Sequence, residues 1–336
     1  MKRAGNLYSR IVDYENIRLA YYKAQKGKRL KKDVLIFRKN LDLNLKQLQK
    51  SLIDEQVNVG VYHFFRIFDP KERLICAAAF KERILHHAVM NVLDPLFEKF
   101  QIYDSYACRK GKGTHGALHR ALYFTKRYRY FIKFDVRKYF DSIDHAQLML
   151  LLRKKIKDRK VLRLLGSIIG SYQISPGRGL PIGNLTSQYF ANFYLGYADR
   201  LIKESLGIRG YIRYMDDMIL WSDSMTRLQT VKGILESFLA NDFRLQLKPA
   251  YSNCCHSGVP FLGFLIKPKG IYLLRKSKLR FSNHVREYYR LYNKNIWNES
   301  TLAEHLKSIV GWTLIAKAQR FRYTVFRRYG PQDRTA

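Results

Sequence analysis

Asp216 and Asp217 stand side by side in GYIRYMDDMILWS, residues 210–222, between two strongly β-forming segments. A two-residue hairpin turn ordinarily takes Asn-Gly or Asp-Gly, which reach positive φ at little cost, but Met215-Asp216-Asp217-Met218 contains neither Gly nor Asn. Adjacent like charges in a half-buried hairpin repel each other and lose hydration, a cost that a bound divalent cation would offset. For the pair in isolation, a solvated acidic turn is the plain alternative. A third carboxylate, Asp135, lies near the C-terminal end of the buried-strand pattern at 130–136 in YFIKFDVRKYFDSIDH. Alone it reads equally as a strand-end acid or a helix cap; beside the other two it suggests a shared metal centre. Mg²⁺ prefers hard oxygen ligands, and two such ions about 4 Å apart can hold the attacking and leaving oxygens of a phosphoryl transfer. Nucleotidyl transfer fits this arrangement.

The composition points to a polyanionic partner. There are 62 Lys+Arg against 27 Asp+Glu, a formal net charge of +35, with 24 Tyr and 20 Phe. Phosphate contacts release counterions and aromatic rings stack on unpaired bases, so the mixture suits single-stranded nucleic acid or a hybrid duplex. Ribosomal and nucleoid proteins are as basic but usually short, whereas 336 residues with 47% hydrophobic content build a sizeable core. No apolar run reaches the ~18 residues needed to span a bilayer, and the N-terminus has no secretory apolar region, so no membrane role and a cytoplasmic location are expected. Cys76, Cys108, Cys254 and Cys255 form no C-x-x-C pair and read as ordinary thiols. His115 and His119 have helical metal-pair spacing without the Glu of H-E-x-x-H, which favours a structural role, and 111–114 (GKGT) lacks P-loop spacing.

Several motifs, in order, carry a family resemblance. FDVRKYF lies at 134–140, a Gly-x-x-x-Ser-Gln block at 183–188, YMDD at 214–217 and FLGF at 261–264, preceded by KERLICAAAFKERILHHAV at 71–89 and SYACRKGKGTHGAL at 105–118. The chain resembles reverse transcriptases over most of its length. Most of that family carries Gln-Gly-x-x-x-Ser-Pro where this chain has LPIGNLTSQ, with Ile182 for Gln and Gln188 for Pro. That variant resembles the reverse transcriptases of diversity-generating retroelements of bacteria and phages, and the compact length agrees. The Val-Thr-Gly of a retron thumb is missing, and the chain is too short for a multifunctional intron protein.

The resemblance implies roles by position. Asp135 and Asp216 would ligate two Mg²⁺ ions, with the Val136 carbonyl an extra ligand and Asp217 completing the acidic centre. Phe140 matches the steric gate that excludes a ribose 2′-hydroxyl; a core aromatic is its alternative reading. Arg73 and Arg83 match basic positions that grip the incoming triphosphate and template. Ile182, Gly183 and Gln188 would border the nucleotide, and Phe261, Leu262 and Gly263 the primer. Related enzymes carry a Lys after YMDD that protonates pyrophosphate; Tyr251 falls near that position, and Lys248 three residues earlier. An isoleucine at 182 offers dispersion contact where an amide would hydrogen-bond, so selectivity should fall, consistent with the family's error-prone copying at template adenines.

The expected fold class is α+β, a right-hand polymerase: an N-terminal segment and mostly helical fingers at 1–128, a palm with an antiparallel sheet at 129–274, and a helical thumb at 275–336. Within the palm, strands are expected at 130–136, 210–222 and 259–273, with helices at 144–170, 184–206 and 224–240, the second capped by Asn184 or Thr186. The segment from 275 onward holds 14 Lys+Arg against 4 Asp+Glu, suited to a duplex groove. The implied partners are dNTPs, a template-repeat RNA, the cDNA/RNA hybrid and a small basic oligomeric accessory variability protein, with RNA bridging the two positive proteins. Two other classes stay open: a reverse transcriptase of intron-type or defence-associated lineage with ordinary fidelity, and a non-enzymatic RNA-binding protein on a polymerase scaffold.

Overall fold

The structure, a computed structural model, describes residues 3–68 and 72–330. Four short helices open it: α1 (Tyr8–Ile11), α2 (Tyr14–Ala24), α3 (Lys32–Lys39) and α4 (Leu41–Ile53). Asp13 starts α2 by accepting a hydrogen bond from the Asn16 amide at 3.0 Å, satisfying one of the donors a helix start leaves orphaned. An antiparallel hairpin follows, β1 (Tyr62–Ile67) and β2 (Arg73–Ala78), then the long helices α5 (Phe80–Phe100) and α6 (Gly113–Arg127). The region read as mostly helical thus also carries a two-stranded ribbon.

Next come β3 (Tyr130–Asp135), α7 (Tyr139–Ser142), α8 (His145–Arg153), α9 (Arg159–Gly170) and α10 (Leu185–Arg200), the last continued by a π-helical turn at Leu201–Ser205. The pattern at 144–170 is therefore two helices, the second restarted by Asp158, whose side chain accepts from the Lys160 and Val161 amides. Strands β4 (Gly210–Tyr214) and β5 (Asp217–Ser222), helix α11 (Met225–Phe243) and β6 (Tyr251–Cys254) complete a four-stranded antiparallel sheet of order β4-β5-β3-β6. The stretch at 259–273 is not one strand but three, β7 (Val259–Phe261), β8 (Phe264–Lys267) and β9 (Gly270–Leu273), forming a separate sheet; the two-residue breaks at 262–263 and 268–269 turn the chain back each time. Three helices close the described chain: α12 (Arg275–Asn293), α13 (Glu299–Thr313) and α14 (Gln319–Tyr329).

The period of two in β3 and β5 explains how the sheet is held. Ile132 and Phe134 of β3, with Met218 and Leu220 of β5, enter one core with α5, α10 and α11. Their alternates Phe131, Ile219 and Trp221 enter a second core with α6 and the three-stranded sheet. Each such side chain removed from water contributes roughly 1.5–3 kcal/mol, so a one-residue slip in this register would forfeit both faces at once. A smaller cluster, Phe281, Val285 and Val325, joins α12 to α14. Among the described residues, no helix is long and apolar enough to cross a membrane, and all four cysteines are free thiols.

Candidate active site

The ladder between β3 and β5 sets Asp135 directly opposite Asp217, and the ladder between β4 and β5 closes with Tyr214 opposite Asp217. Met215 and Asp216 are therefore the two central residues of the hairpin turn. Met215 takes φ +56°, a conformation that costs a side-chain-bearing residue on the order of 1–2 kcal/mol. Buried Arg213 supports it. Its Nη1 donates to the Met215 carbonyl at 3.1 Å and to Asn192 Oδ1 at 3.0 Å; its Nε and Nη2 donate to the two Asp199 carboxylate oxygens at 2.7 and 2.6 Å. Tyr211 donates to the same Asp199 at 2.6 Å. Helix α10, which carries Asn192 and Asp199, thereby holds the turn that carries Asp216.

These carboxylates line a cavity of about 550 Å³ together with Arg73, Phe140, Ile182, Gly183, Gln188, Lys248 and Leu262. Lys248 Nζ lies 2.7 Å from Asp135 Oδ1, and Lys133 Nζ lies 2.8 Å from Asp217 Oδ1 and also donates to the Pro260 carbonyl. Asp217 is pushed up to about 6, chiefly by burial and further by Asp216 and Asp135, against the opposing pull of Lys133. Asp216 is also raised, first by burial and then by Asp135, with Lys248 and Arg73 opposing. Among the described residues no three His, Cys, Asp or Glu side chains form a ready-made metal cage; the two lysines hold the outer carboxylates as they stand. The donor set nonetheless fits a divalent cation. It is made of hard oxygens, and two of its carboxyls resist ionisation for want of compensating positive charge.

The bridge between Val136 and Leu247 runs through two hydrogen bonds, Arg137 N to the Gln246 carbonyl and Lys248 N to the Asp135 carbonyl. Neither uses the Val136 carbonyl, which stays outside the ladder beside Asp135. Phe140 opens α7 with its ring 5.8 Å from that of Tyr139, after Lys138 at φ +45°. Ile182 accepts from the Cys76 amide at 2.8 Å, tying this segment to β2. Gly183 is required there: its φ is +121°, and a Cβ would meet Ile75 Cγ2 at 2.8 Å. Asn184 stands at the N-cap of α10 but does not cap it, because its Oδ1 accepts from the Ala78 amide instead.

Three residues singled out by the motifs face elsewhere. Arg83 donates to the Ala24 carbonyl at 2.6 Å and lines a neighbouring cavity. Phe261 is buried in the second core, so of the FLGF segment it is Leu262, at φ +50°, that borders the catalytic cavity. Gly263 turns toward α12 and accepts from Ser277 Oγ at 2.6 Å. Of Lys248 and Tyr251, the lysine reaches the carboxylates, while Tyr251 stacks on Phe131 with ring centres 5.7 Å apart. Lys133 and Arg213 were not singled out from sequence. Lys133 has a signal, since it lies two residues before Asp135 on the same strand face.

Comparison with known proteins agrees with this geometry. Protein YkfC of Escherichia coli is 27% identical over 204 residues, 56% of this chain and 51% of YkfC. The group II intron-encoded protein LtrA of Lactococcus lactis subsp. cremoris is 27% identical over 138 residues, 39% of this chain and 23% of LtrA. Apo telomerase from Candida tropicalis shares the fold, with a TM-score of 0.50 at 15% identity, covering 81% of this chain and 60% of that one. The chain thus spans about half or less of these curated relatives. The family profile described as reverse transcriptase (RNA-dependent DNA polymerase) matches residues 69–266, a span running from the β1–β2 ribbon through the aspartates to β8, and the chain belongs to that family.

Proposed function

We propose that this chain is an RNA-directed DNA polymerase of a diversity-generating retroelement, copying a template-repeat RNA into cDNA with errors concentrated at template adenines. The observation that carries the polymerase reading is the convergence of Asp135, Asp216 and Asp217, through strand register and a strained turn, on one cavity bordered by Arg73 and Phe140. In this reading residues 1–128 act as fingers, 129–274 as palm and 275–336 as thumb. Asp135 and Asp216, with the Val136 carbonyl, hold two Mg²⁺ ions, which when bound supply the charge that a nucleotidyl transfer needs at its attacking and leaving oxygens. Asp217, paired with Lys133, sets the local field. Arg73 and Lys248 bring positive charge to the triphosphate, and the Phe140 ring denies room to a 2′-hydroxyl.

The retroelement assignment rests on Ile182 and Gln188. Ile182 presents an apolar side chain to the cavity where hydrogen-bond reading would otherwise operate, and apolar fit discriminates far less than hydrogen bonding does. An accessory variability protein, basic like this chain, would be joined to it through RNA. The test is Mg²⁺-dependent primer extension on RNA, comparing wild type with Asp216→Ala/Asp217→Ala and sequencing the products. Synthesis from dNTPs that is lost in the variant and errs mainly at adenine is expected. Faithful synthesis would move the chain to an intron-type lineage, and no synthesis on any template would leave a binding protein. Ile182→Gln should lower misincorporation opposite adenine; an unchanged error spectrum removes Ile182 from the explanation.

A further inference from the structure

A second cavity, of about 180 Å³, shares Gly183 and Gln188 with the catalytic one and is otherwise lined by Lys28, Arg83, His86, His87 and the start of α10. It is smaller than the roughly 300–1,000 Å³ of sites that enclose a whole drug-sized ligand, so it suits one functional group. No carboxylate lines it among the described residues. Burial and the neighbouring Arg83 pull the Lys28 ammonium below its ordinary range, and burial does the same to Arg83. His87 falls to about 4, through burial first and then Arg83, Lys23 and His86, so it is neutral at physiological pH.

Two further observations identify what the cavity lacks. Helix α10 begins here without a side-chain cap, so its first-turn N–H groups and the positive end of its dipole lie at the cavity. Asn184, 3% exposed, spends its oxygen on Ala78 and leaves Nδ2 without a partner. His86, 1% exposed, has neither ring nitrogen hydrogen-bonded; Glu82 on its own helix lies 3.5 Å from Nε2, behind the cavity wall. A cationic recess rich in unpaired N–H donors calls for an acceptor-only anion, and a phosphate oxygen cluster is that.

We propose that this cavity binds a single phosphate of the RNA template strand, distinct from the triphosphate of the incoming nucleotide beside the aspartates. The proposal rests on the polymerase reading for the identity of the strand. Gln188 stands in both cavities, so its amide can donate to the template phosphate from the segment that also borders the nucleotide, where the proline of related enzymes has no side-chain donor.

The test uses the full chain, wild type, Lys28→Gln and Arg83→Lys, and a fluorescent RNA-template/DNA-primer hybrid titrated over a salt series, with the KM for dNTP measured in parallel. Lys28 is exposed, so its variant avoids a folding defect. Lys28→Gln should weaken hybrid binding several-fold and lower the slope of log affinity against log salt by about 1, the signature of one lost phosphate contact, with the KM for dNTP unchanged. Arg83→Lys should retain more of the slope than Lys28→Gln. An unchanged salt slope in Lys28→Gln overturns the proposal, and so does a raised dNTP KM with hybrid binding intact, which would hand the cavity to the nucleotide. The slope is read without catalysis. A wild-type chain that never extends the hybrid, yet loses slope on Lys28→Gln, supports the phosphate site while removing the polymerase reading.

Discussion

Two ion pairs flank the catalytic hairpin, nearly equal in length and opposite in kind. Arg213–Asp199 is 2.6 Å long with both side chains 0% exposed, whereas Lys248–Asp135 is 2.7 Å long with side chains 44% and 42% exposed. Burying two charges costs several kcal/mol per ion, recovered only when every remaining donor and acceptor finds a partner. The Arg213 fork does so through Asn192, Gln101 and the Met215 carbonyl. The half-exposed lysine pair is screened by water and contributes about 0–1 kcal/mol. Length does not set the role of an ion pair; its surroundings do. One pair is a fixed part of the scaffold, and the other is a placeholder that a metal ion or a phosphate can replace.

The largest expected effect breaks the buried side. Arg213→Ala leaves Asp199 charged and uncompensated and should cost about 3–5 kcal/mol in urea unfolding, whereas Arg213→Met with Asp199→Leu should recover much of that loss. A single variant within about 1 kcal/mol of wild type would refute the scaffold role. Next, Asp216→Asn should slow single-turnover extension on the order of 10²–10³-fold, the scale for removing one preorganised electrostatic partner, with little change in unfolding midpoint; a loss under tenfold would show that the turn aspartate is dispensable.

Smaller effects belong to the exchangeable side. Lys248→Ala should move stability by less than about 1 kcal/mol and tighten Mn²⁺ binding, followed by electron paramagnetic resonance, because Asp135 loses its competing cation. Weaker binding would contradict the placeholder role. The smallest is a proton count. Asp217 titrates at about 6, and a bound cation favours its ionised form, so metal binding at pH 6 should release about half a proton from this group, falling toward zero near pH 8. Calorimetry in buffers of different ionisation enthalpy measures it, and equal release at both pH values would place the proton elsewhere.

The residues legible in sequence are those whose role is written in short spacing. Asp135 at a strand end, the Asp216-Asp217 pair, Phe140 five residues on from Asp135 and the Ile182-to-Gln188 block all border one cavity. The helices and strands of the central region were legible for the same reason, as their apolar periods are local. What was hidden depends on assembly. Lys248 reaches Asp135 only because Val136 bridges Leu247, and Arg213 meets Asp199 only because α10 packs beneath the sheet. Arg83 looked like a triphosphate ligand by position, but its helix turns it toward Ala24. Asn184 looked like a cap by type, but the free amide of Ala78 claims its oxygen.

The fastening of Gly263 has a mechanical consequence. Its carbonyl is bound by Ser277 of α12, and Phe264 beside it packs on Trp312 of α13 with ring centres 4.7 Å apart. The preceding residue, Leu262, forms part of the catalytic wall. The C-terminal helices therefore pull on the active site through a two-residue linkage, like a pedal joined to a brake by one short rod. A protein or duplex that grips those helices can tune how a base is accepted without ever touching the aspartates.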